Sequence, residues 1–267
     1  MTTVLEVAAV IRDSIDAPTR AVTVDGILAG DPQAEVREVA VVTMATLAAL
    51  RQAADAGANL VVTHEPLFFD HHDGAREALA AEDDPVYETK RAFLAASGLA
   101  VIHLHDQWHD LRPDGVDAAT AAELGWTLDG NTATIASITL GALAQHIAET
   151  LGATALRFIG DPTVEITRVG LDLGFRGFAR NRALLRRPDV DVAIVGEMHE
   201  WETGEYAADA ATAGVAKGLI VVGHVPSEAA GSRAVAAWLP GALSAAGHSH
   251  IPVTYLDAPD LFSRVGP

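Results

Sequence analysis

The sequence predicts an α/β fold of two similar lobes, with a metal site in the cleft between them at the C-terminal ends of strands. Three observations carry that expectation: an internal repeat, an alternation of strands and helices in each half, and histidines or acids at the tips of the apolar strands. The repeat opens with "GDPQAEVREVAVVTM" at Gly30 and "GDPTVEITRVGLDLG" at Gly160. Gly-Asp-Pro is a turn signal, and the alternating apolar residues behind it read as a strand. The chain has 267 residues, 49% of them hydrophobic and 20% charged, which suits one large core or two smaller ones and not a disordered chain.

The elements follow in order. The first twenty residues, "MTTVLEVAAVIRDSIDAPTR", carry acids early and lack a basic n-region and a small-residue cleavage site. They read as a first helix and not as a signal peptide. No apolar run approaches the roughly 20 residues of a membrane span, so the expected location is the cytoplasm. After the Gly30 turn and its strand, Ala45 to Ala56 reads as a helix. "GANLVVTHEP" (Gly57 to Pro66) is a short buried strand stopped by proline. A helix over Pro85 to Ser97 leads to the strand in "GLAVIHLHDQWHD" (Gly98 to Asp110). A polar, turn-rich stretch from Trp126 to Ser137 separates a first lobe, residues 1–127, from a second, residues 128–267. The second half repeats the pattern: the strand after Gly160, a helix over Phe178 to Arg187, the strand in "DVDVAIVGEMHEW" (Asp189 to Trp201), a helix over Gly204 to Ala213, and the strand in "GLIVVGHVPSEAAG" (Gly218 to Gly231). A last strand within 248–257 can pair with the first lobe.

Open α/β sheets bind ligands beyond the C-terminal ends of their strands, and composition narrows what binds there. The absence of cysteine excludes disulfides, thiolate zinc sites and cysteine nucleophiles. With 36 acids against 18 bases, the net charge of −18 repels nucleic-acid backbones. No phosphate loop of the P-loop type is present. Of the 11 histidines, His64, His105, His109, His199 and His224 fall at or just after predicted strand ends. His146 sits in a helical stretch and reads as incidental. His71 and His72, with Asp70 and Asp73, read as a solvated loop, as do His248 and His250 near the C-terminus. Arg176 in "GFRGF" reads as a loop residue.

Three clusters remain: His64 with Glu65, His105 with His109 four residues on, and His224 with Glu228 four residues on. Any one of them is equally well a loop cap, an ion pair or an exposed polar pair. Three at equivalent places in one α/β pattern are better explained by metal. Imidazole and carboxylate without thiolate fit Zn, Mn, Fe or Ni, and the set suits two divalent ions with Glu65 or Glu228 bridging them. Two ions that close lower the pKa of a shared water and polarise a scissile bond.

The segments "DGILAGDP", "GANLVVTHEPLFF", "HDQWH", "GEMHEW" and "GHVPSE" resemble, in order and over nearly the whole chain, the Nif-three-like dinuclear-metal-centre family, the GTP cyclohydrolase I type 2 homologues. "GANLVVTHEP" and "GHVPSE" are the most specific of these. The resemblance implies a two-lobed α/β protein, a homohexamer of stacked trimers with metal pairs facing an inner cavity, and a ligand set of His64, Glu65, His109, His224 and Glu228. The family's pattern has two adjacent histidines before the proline, where this chain has His64 and Glu65. It then has an aspartate four residues after a histidine, where this chain has His109 after His105. One imidazole and one carboxylate have changed places, so the number of donors is kept. The resemblance also makes Glu197, Glu200 and Trp201 ligand-orienting or substrate-facing positions. The expected function is a metal-dependent hydrolase acting on a small molecule, such as a purine ring carbon or a phosphoester, with His105 and Glu197 moving the proton. The alternative is a non-catalytic metal-binding assembly, a metal chaperone or a regulatory partner protein.

Overall fold

The computed structural model describes residues 1–18, 20–72, 74–215, 218–257 and 261–262. In chain order its elements are α1 (Val4–Ser14), β1 (Gly26–Ala29), β2 (Val39–Val42), α2 (Leu47–Asp55), β3 (Leu60–Thr63), α3 (Gly74–Ala81), α4 (Pro85–Ser97), β4 (Ala100–His103) and α5 (Asp106–His109). There follow α6 (Gly115–Glu123), β5 (Thr132–Thr139), α7 (Leu140–Leu151), β6 (Arg157–Gly160), β7 (Glu165–Asp172), α8 (Phe178–Leu185), β8 (Val192–Val195), a π-helical turn (Glu200–Gly204), α9 (Glu205–Thr212), β9 (Gly218–Val221), α10 (His224–Ala245) and β10 (Val253–Tyr255). The chain divides into one unit of Met1–Leu111 with Ser232–Ala258 and another built on Arg112–Gly231. Each unit holds one five-stranded sheet.

In the first unit the strand order is β1-β4-β3-β2-β10. β4, β3, β2 and β10 run parallel, and β1 is antiparallel to β4. The three central strands read VAVV, LVVT and AVIH and are buried along their whole length. That is why they are apolar runs and not alternating ones: a parallel strand is covered on both faces. Each fully buried Val or Leu contributes about 1.5–3 kcal/mol. α1 begins at a capping box, in which the Thr3 side chain accepts from the Glu6 amide while the Glu6 carboxylate accepts from the Thr3 amide. α4 starts at Asp84, whose carboxylate accepts from the amides of Val86 and Tyr87 just past Pro85, and stops at Gly98 with φ 66°.

In the second unit the order is β5-β7-β8-β9-β6, with β7, β8 and β9 parallel and the two edge strands antiparallel to their neighbours. The turns at Gly30 and Gly160 are built alike. Asp31 Oδ1 accepts from the Gln33 amide and Asp31 O from the Ala34 amide. Asp161 Oδ1 accepts from the Thr163 amide and Asp161 O from the Val164 amide. The first of these turns needs its glycine, because Gly30 has φ 90° and a Cβ there would lie 2.6 Å from Ala100 Cβ.

The stretch Trp126 to Ser137, expected as a polar boundary, contains the first residues of β5. This is an antiparallel edge strand in which Ala133 is buried and the other residues are half-buried or exposed. Its apolar content is low because one face is wet, so the turn residues ahead of it dominated the sequence pattern. α3 was not expected at all. It buries none of its residues, so it leaves no apolar stripe to detect. Among the described residues no helix is long and apolar enough to cross a membrane.

Candidate metal centre

β3 and β4 end side by side, with Thr63 opposite His103. The backbone pairing continues one step further, since the Leu104 amide donates to Thr63 O at 2.9 Å. Everything just past these strand ends is therefore fixed by sheet register. His64 and Glu65 follow Thr63 and are 5% and 6% exposed. His105 follows Leu104, and one turn of α5 brings His109 to the same place. His64, His105 and His109 each offer a ring nitrogen, all within 4.8 Å of one another. Their ring centroids are 4.9, 4.9 and 4.6 Å apart. Glu65, His71 and His105 form a second group by the same criterion, so His105 belongs to both.

Hydrogen bonds fix which nitrogen faces the group. His64 Nδ1 lies 3.1 Å from Leu104 O. A carbonyl only accepts, so Nδ1 carries the proton and Nε2 presents its lone pair. His105 Nδ1 lies 3.1 Å from Asp106 Oδ1, which leaves the lone pair of His105 Nε2 facing the group. Asp106 is itself held: Arg20 Nη1 pairs with it at 2.6 Å, and Thr23 Oγ1 and the Val24 amide donate to its other oxygen. This is the carboxylate–histidine arrangement that orients ligating imidazoles. Asp25 anchors the turn that carries these residues, accepting from the amides of His105, Asp106 and Gln107 at 2.6, 2.9 and 2.8 Å. His103 lies beneath. Its Nδ1 and Nε2 are 2.8 and 2.9 Å from the carbonyls of Val24 and His64, and burial holds its pKa below the ordinary histidine value. A cavity of about 170 Å³, lined among others by Arg20, Asp25, His103, Asp106 and Gln107, opens beside this turn.

The loop after Pro66 departs from expectation. His71 is not simply solvated: its Nε2 is 3.7 Å from Glu65 Oε2, and its ring stacks on His103 at 5.4 Å and lies 4.5 Å from His105. Asp73, expected beside it, lies outside the described residues. The loop is clamped by Lys90, whose ammonium donates to Leu67 O and lies 5.5 and 5.4 Å from the ring centres of Phe68 and Phe69. Phe69 has φ 68°, unusual for a residue with a side chain. Lys90 is 4% exposed, and burial lowers its pKa to about 8.

In the second unit β8 and β9 also end together, Val195 opposite Val221. Gly196 and Glu197 follow one strand, and Gly223 and His224 the other. His224 Nδ1 is 3.1 Å from Glu197 Oε1, and His224 Nε2 is 3.1 Å from Glu228 Oε2 on the next turn of α10. The hydrogen bond from His224 keeps the Glu197 carboxyl below its ordinary pKa. Glu228 is 2% exposed and sits against a bare backbone: Gly174 has φ 67°, and a Cβ there would collide with its carboxylate. Ser227 Oγ accepts from the Gly174 amide and donates to His224 O. Thr120 Oγ1 donates to Ser227 O. Glu200 pairs with Arg157 on the surface. Arg176 spends its guanidinium on Leu173 O and Asp114, as a loop residue would. His146 is an exposed residue of α7.

In the first unit the expected ligands His64, Glu65 and His109 thus lie together with the expected proton carrier His105, and in the second the expected ligands His224 and Glu228 lie together with Glu197. Sequence reasoning missed Asp25, Asp106 and His103 as supports, and His71 as a group member. Asp25 and His103 were visible as polar residues flanking a strand end, but nothing in their spacing marks a supporting role.

Comparison with known proteins gives the family. The model for Duf34/NIF3 (NGG1p interacting factor 3) matches residues 17–258. Among solved structures, the chain is similar to Staphylococcus aureus protein SA1388, with 19% identity, 99% of both chains covered and a TM-score of 0.78. It is also similar to a Bacillus cereus protein related to NIF3, at 14% identity, 99% of both chains and a TM-score of 0.80. A third is reduced HcgD from Methanocaldococcus jannaschii, at 14% identity, covering 94% of this chain and 98% of that one, with a TM-score of 0.67. At these identities the likeness speaks for the fold. No curated protein matches the sequence.

Proposed function

The chain belongs to the Duf34/NIF3 family, and we propose that it is a metal-dependent hydrolase of a small molecule, with two divalent transition-metal ions held by His64, Glu65, His109, His224 and Glu228. The observation that carries the reading is the trio of buried His64 and His109 with half-buried His105, whose ring nitrogens lie within 4.8 Å of one another. Nitrogens that close on His64 and His109 suit one cation, with His105 Nε2 beside it to take a proton, and the absence of cysteine restricts the ligands to imidazole and carboxylate. A divalent ion there supplies Lewis acidity, lowering the pKa of water and polarising the bond under attack.

The chain's own residues do the rest. His105 Nε2 accepts the proton that water loses on attack, and Asp106, paired with Arg20, holds the ring through Nδ1. Glu197 suits an orienting role better than proton transfer: its carboxyl is kept ionised by the hydrogen bond from His224, and it fixes that ring so that Nε2 faces Glu228. We also infer an internal duplication. Its support is the shared strand order of β1-β4-β3-β2 and β6-β9-β8-β7, together with the matched hydrogen bonds of the Gly30 and Gly160 turns. The homohexamer is carried by the resemblance, and a monomer mass by light scattering at micromolar concentration removes it.

The test is elemental analysis of freshly purified protein, followed by a turnover screen of metal-loaded protein against nucleotides, phosphoesters and amides. Stoichiometric metal with turnover abolished by a chelator is the expected result. Metal without turnover leaves the non-catalytic assembly in its place, and no stoichiometric transition metal overturns both.

A further inference from the structure

We propose that the surface beside His224 and Glu197 is a binding platform for a planar, cationic nitrogen heterocycle, stacked on Trp201. The platform is a row of three rings. Trp201 lies parallel to His199, 5.5 Å between centroids and 13° between planes, and Phe175 is 5.3 Å from His199. Trp201 is 71% exposed and Phe175 46%. A tryptophan is seldom left so bare, and two near-parallel exposed rings, with Phe175 tilted 46° beside them, are a stacking surface in waiting for another ring.

The row is also held in place. Trp201 lies in the π-helical turn Glu200–Gly204, a form that recurs at functional sites. Thr203, within the turn, is buried and donates to Asn181 Oδ1 at 3.3 Å. His199 Nδ1 lies 2.9 Å from Glu202 Oε2, which sets the ring's orientation. The platform borders the donors through the chain itself. Phe175 follows Gly174, the residue whose missing Cβ makes room for Glu228. His199 comes two residues after Glu197, which holds His224.

Charge selects the ligand. Glu197, Glu200, Glu202 and Glu205 crowd this segment, and the neighbouring cations are paired with acids, Arg157 with Glu200 and Arg176 with Asp114. A ring face is itself negative at its centre, so acids and rings together attract a cation and repel a phosphate. The inference names a substrate class for the proposed metal centre, and it rests on that reading for the ligand's fate, though not for its binding.

The experiment is calorimetric titration of the full chain with three probes: N1-methylnicotinamide, a planar cation; nicotinate, the same ring as an anion; and tetramethylammonium, a cation without a ring. N1-methylnicotinamide is expected to bind saturably, with nicotinate and tetramethylammonium each at least about tenfold weaker. Trp201→Ala should weaken N1-methylnicotinamide about tenfold, and Trp201→Tyr less than about threefold. Circular dichroism checks the fold, which so exposed a side chain should not disturb. No saturable binding, equal binding of either comparison probe, or an unchanged Trp201→Ala variant overturns the platform. Metal content of the same samples separates the two readings. Metalled protein that ignores the heterocycle removes the platform alone, and metal-free protein that binds it removes the metal centre alone.

Discussion

Gly174→Ala is the substitution that tests how the second unit positions Glu228. Two costs can be worked from the structure. Gly174 has φ 67°, a left-handed conformation that costs an L-residue about 1–2 kcal/mol. The new Cβ would also lie 2.9 Å from Glu228 Cδ, well inside the roughly 3.5–4.0 Å at which carbon atoms rest. Glu228 is 2% exposed and cannot escape into solvent. It must leave its rotamer, at about 1 kcal/mol, and give up its 3.1 Å contact with His224. The expected loss is on the order of 3 kcal/mol in urea unfolding at fixed protein concentration, with a lower metal content. Gly125→Ala is the control, since Gly125 has φ 75° but nothing within 4 Å of its Cβ. It should cost the backbone term alone. In a Glu228→Ala background the collision disappears, and Gly174→Ala should fall to the Gly125→Ala value. If Gly174→Ala costs the same with and without the Glu228 side chain, the two residues are not coupled and the argument fails.

Three further outcomes are expected. Glu228→Ala should lose the full metal complement while His64→Ala keeps part of it, as elemental analysis of folded variants will read; full metal in Glu228→Ala removes its bridging role. Stability should rise between pH 8 and 10.5, because unfolded Lys90 keeps its proton up to the ordinary lysine value while the folded one releases it near 8. The rise is on the order of 3 kcal/mol and should be missing from Lys90→Met; equal slopes in the two proteins refute it. With three imidazoles to two carboxylates among the proposed ligands His64, Glu65, His109, His224 and Glu228, the protein should retain Zn or Ni over Mn in competition dialysis, and preferential Mn retention would show that oxygen donors dominate.

The parallel strands were legible because burial on both faces forces uninterrupted apolar runs. β3, β8 and β9 read as strands from LVVT, VAIV and GLIV. α4 was legible to the residue, since Asp84, Pro85 and Gly98 punctuate it. The edge strands β1, β5 and β6 were not, for a half-wet strand carries too little apolar signal. Among site residues, those in a run of ligand types stood out: His64 with Glu65, and His224 with Glu228. His71 did not, because its approach to Glu65 depends on the Lys90 clamp and on the unusual backbone of Phe69. Such tertiary contacts leave no spacing in the sequence. The same holds for Asp25, which acts through three backbone amides contributed by residues some eighty positions away.

This difference in legibility follows the mechanics of the fold. His64, Glu65 and His105 sit one or two residues beyond a ladder that pairs Thr63 with His103. Glu197 and His224 sit two or three residues beyond one that pairs Val195 with Val221. Within each unit the donors are therefore placed by sheet register, and shifting them requires breaking buried backbone hydrogen bonds. Rigid supports of this kind suit a metal, whose binding tolerates little error in donor position. His71 and Trp201 lie further out, on a clamped loop and a π-helical turn, and depend on local contacts that a few substitutions can alter. The candidate ligands are thus placed by the sheet, while His71 and the proposed platform at Trp201 are placed by the loops. Changes in what the protein binds should accordingly collect around Phe69, His71, Phe175 and Trp201, and leave the strand-end donors in place.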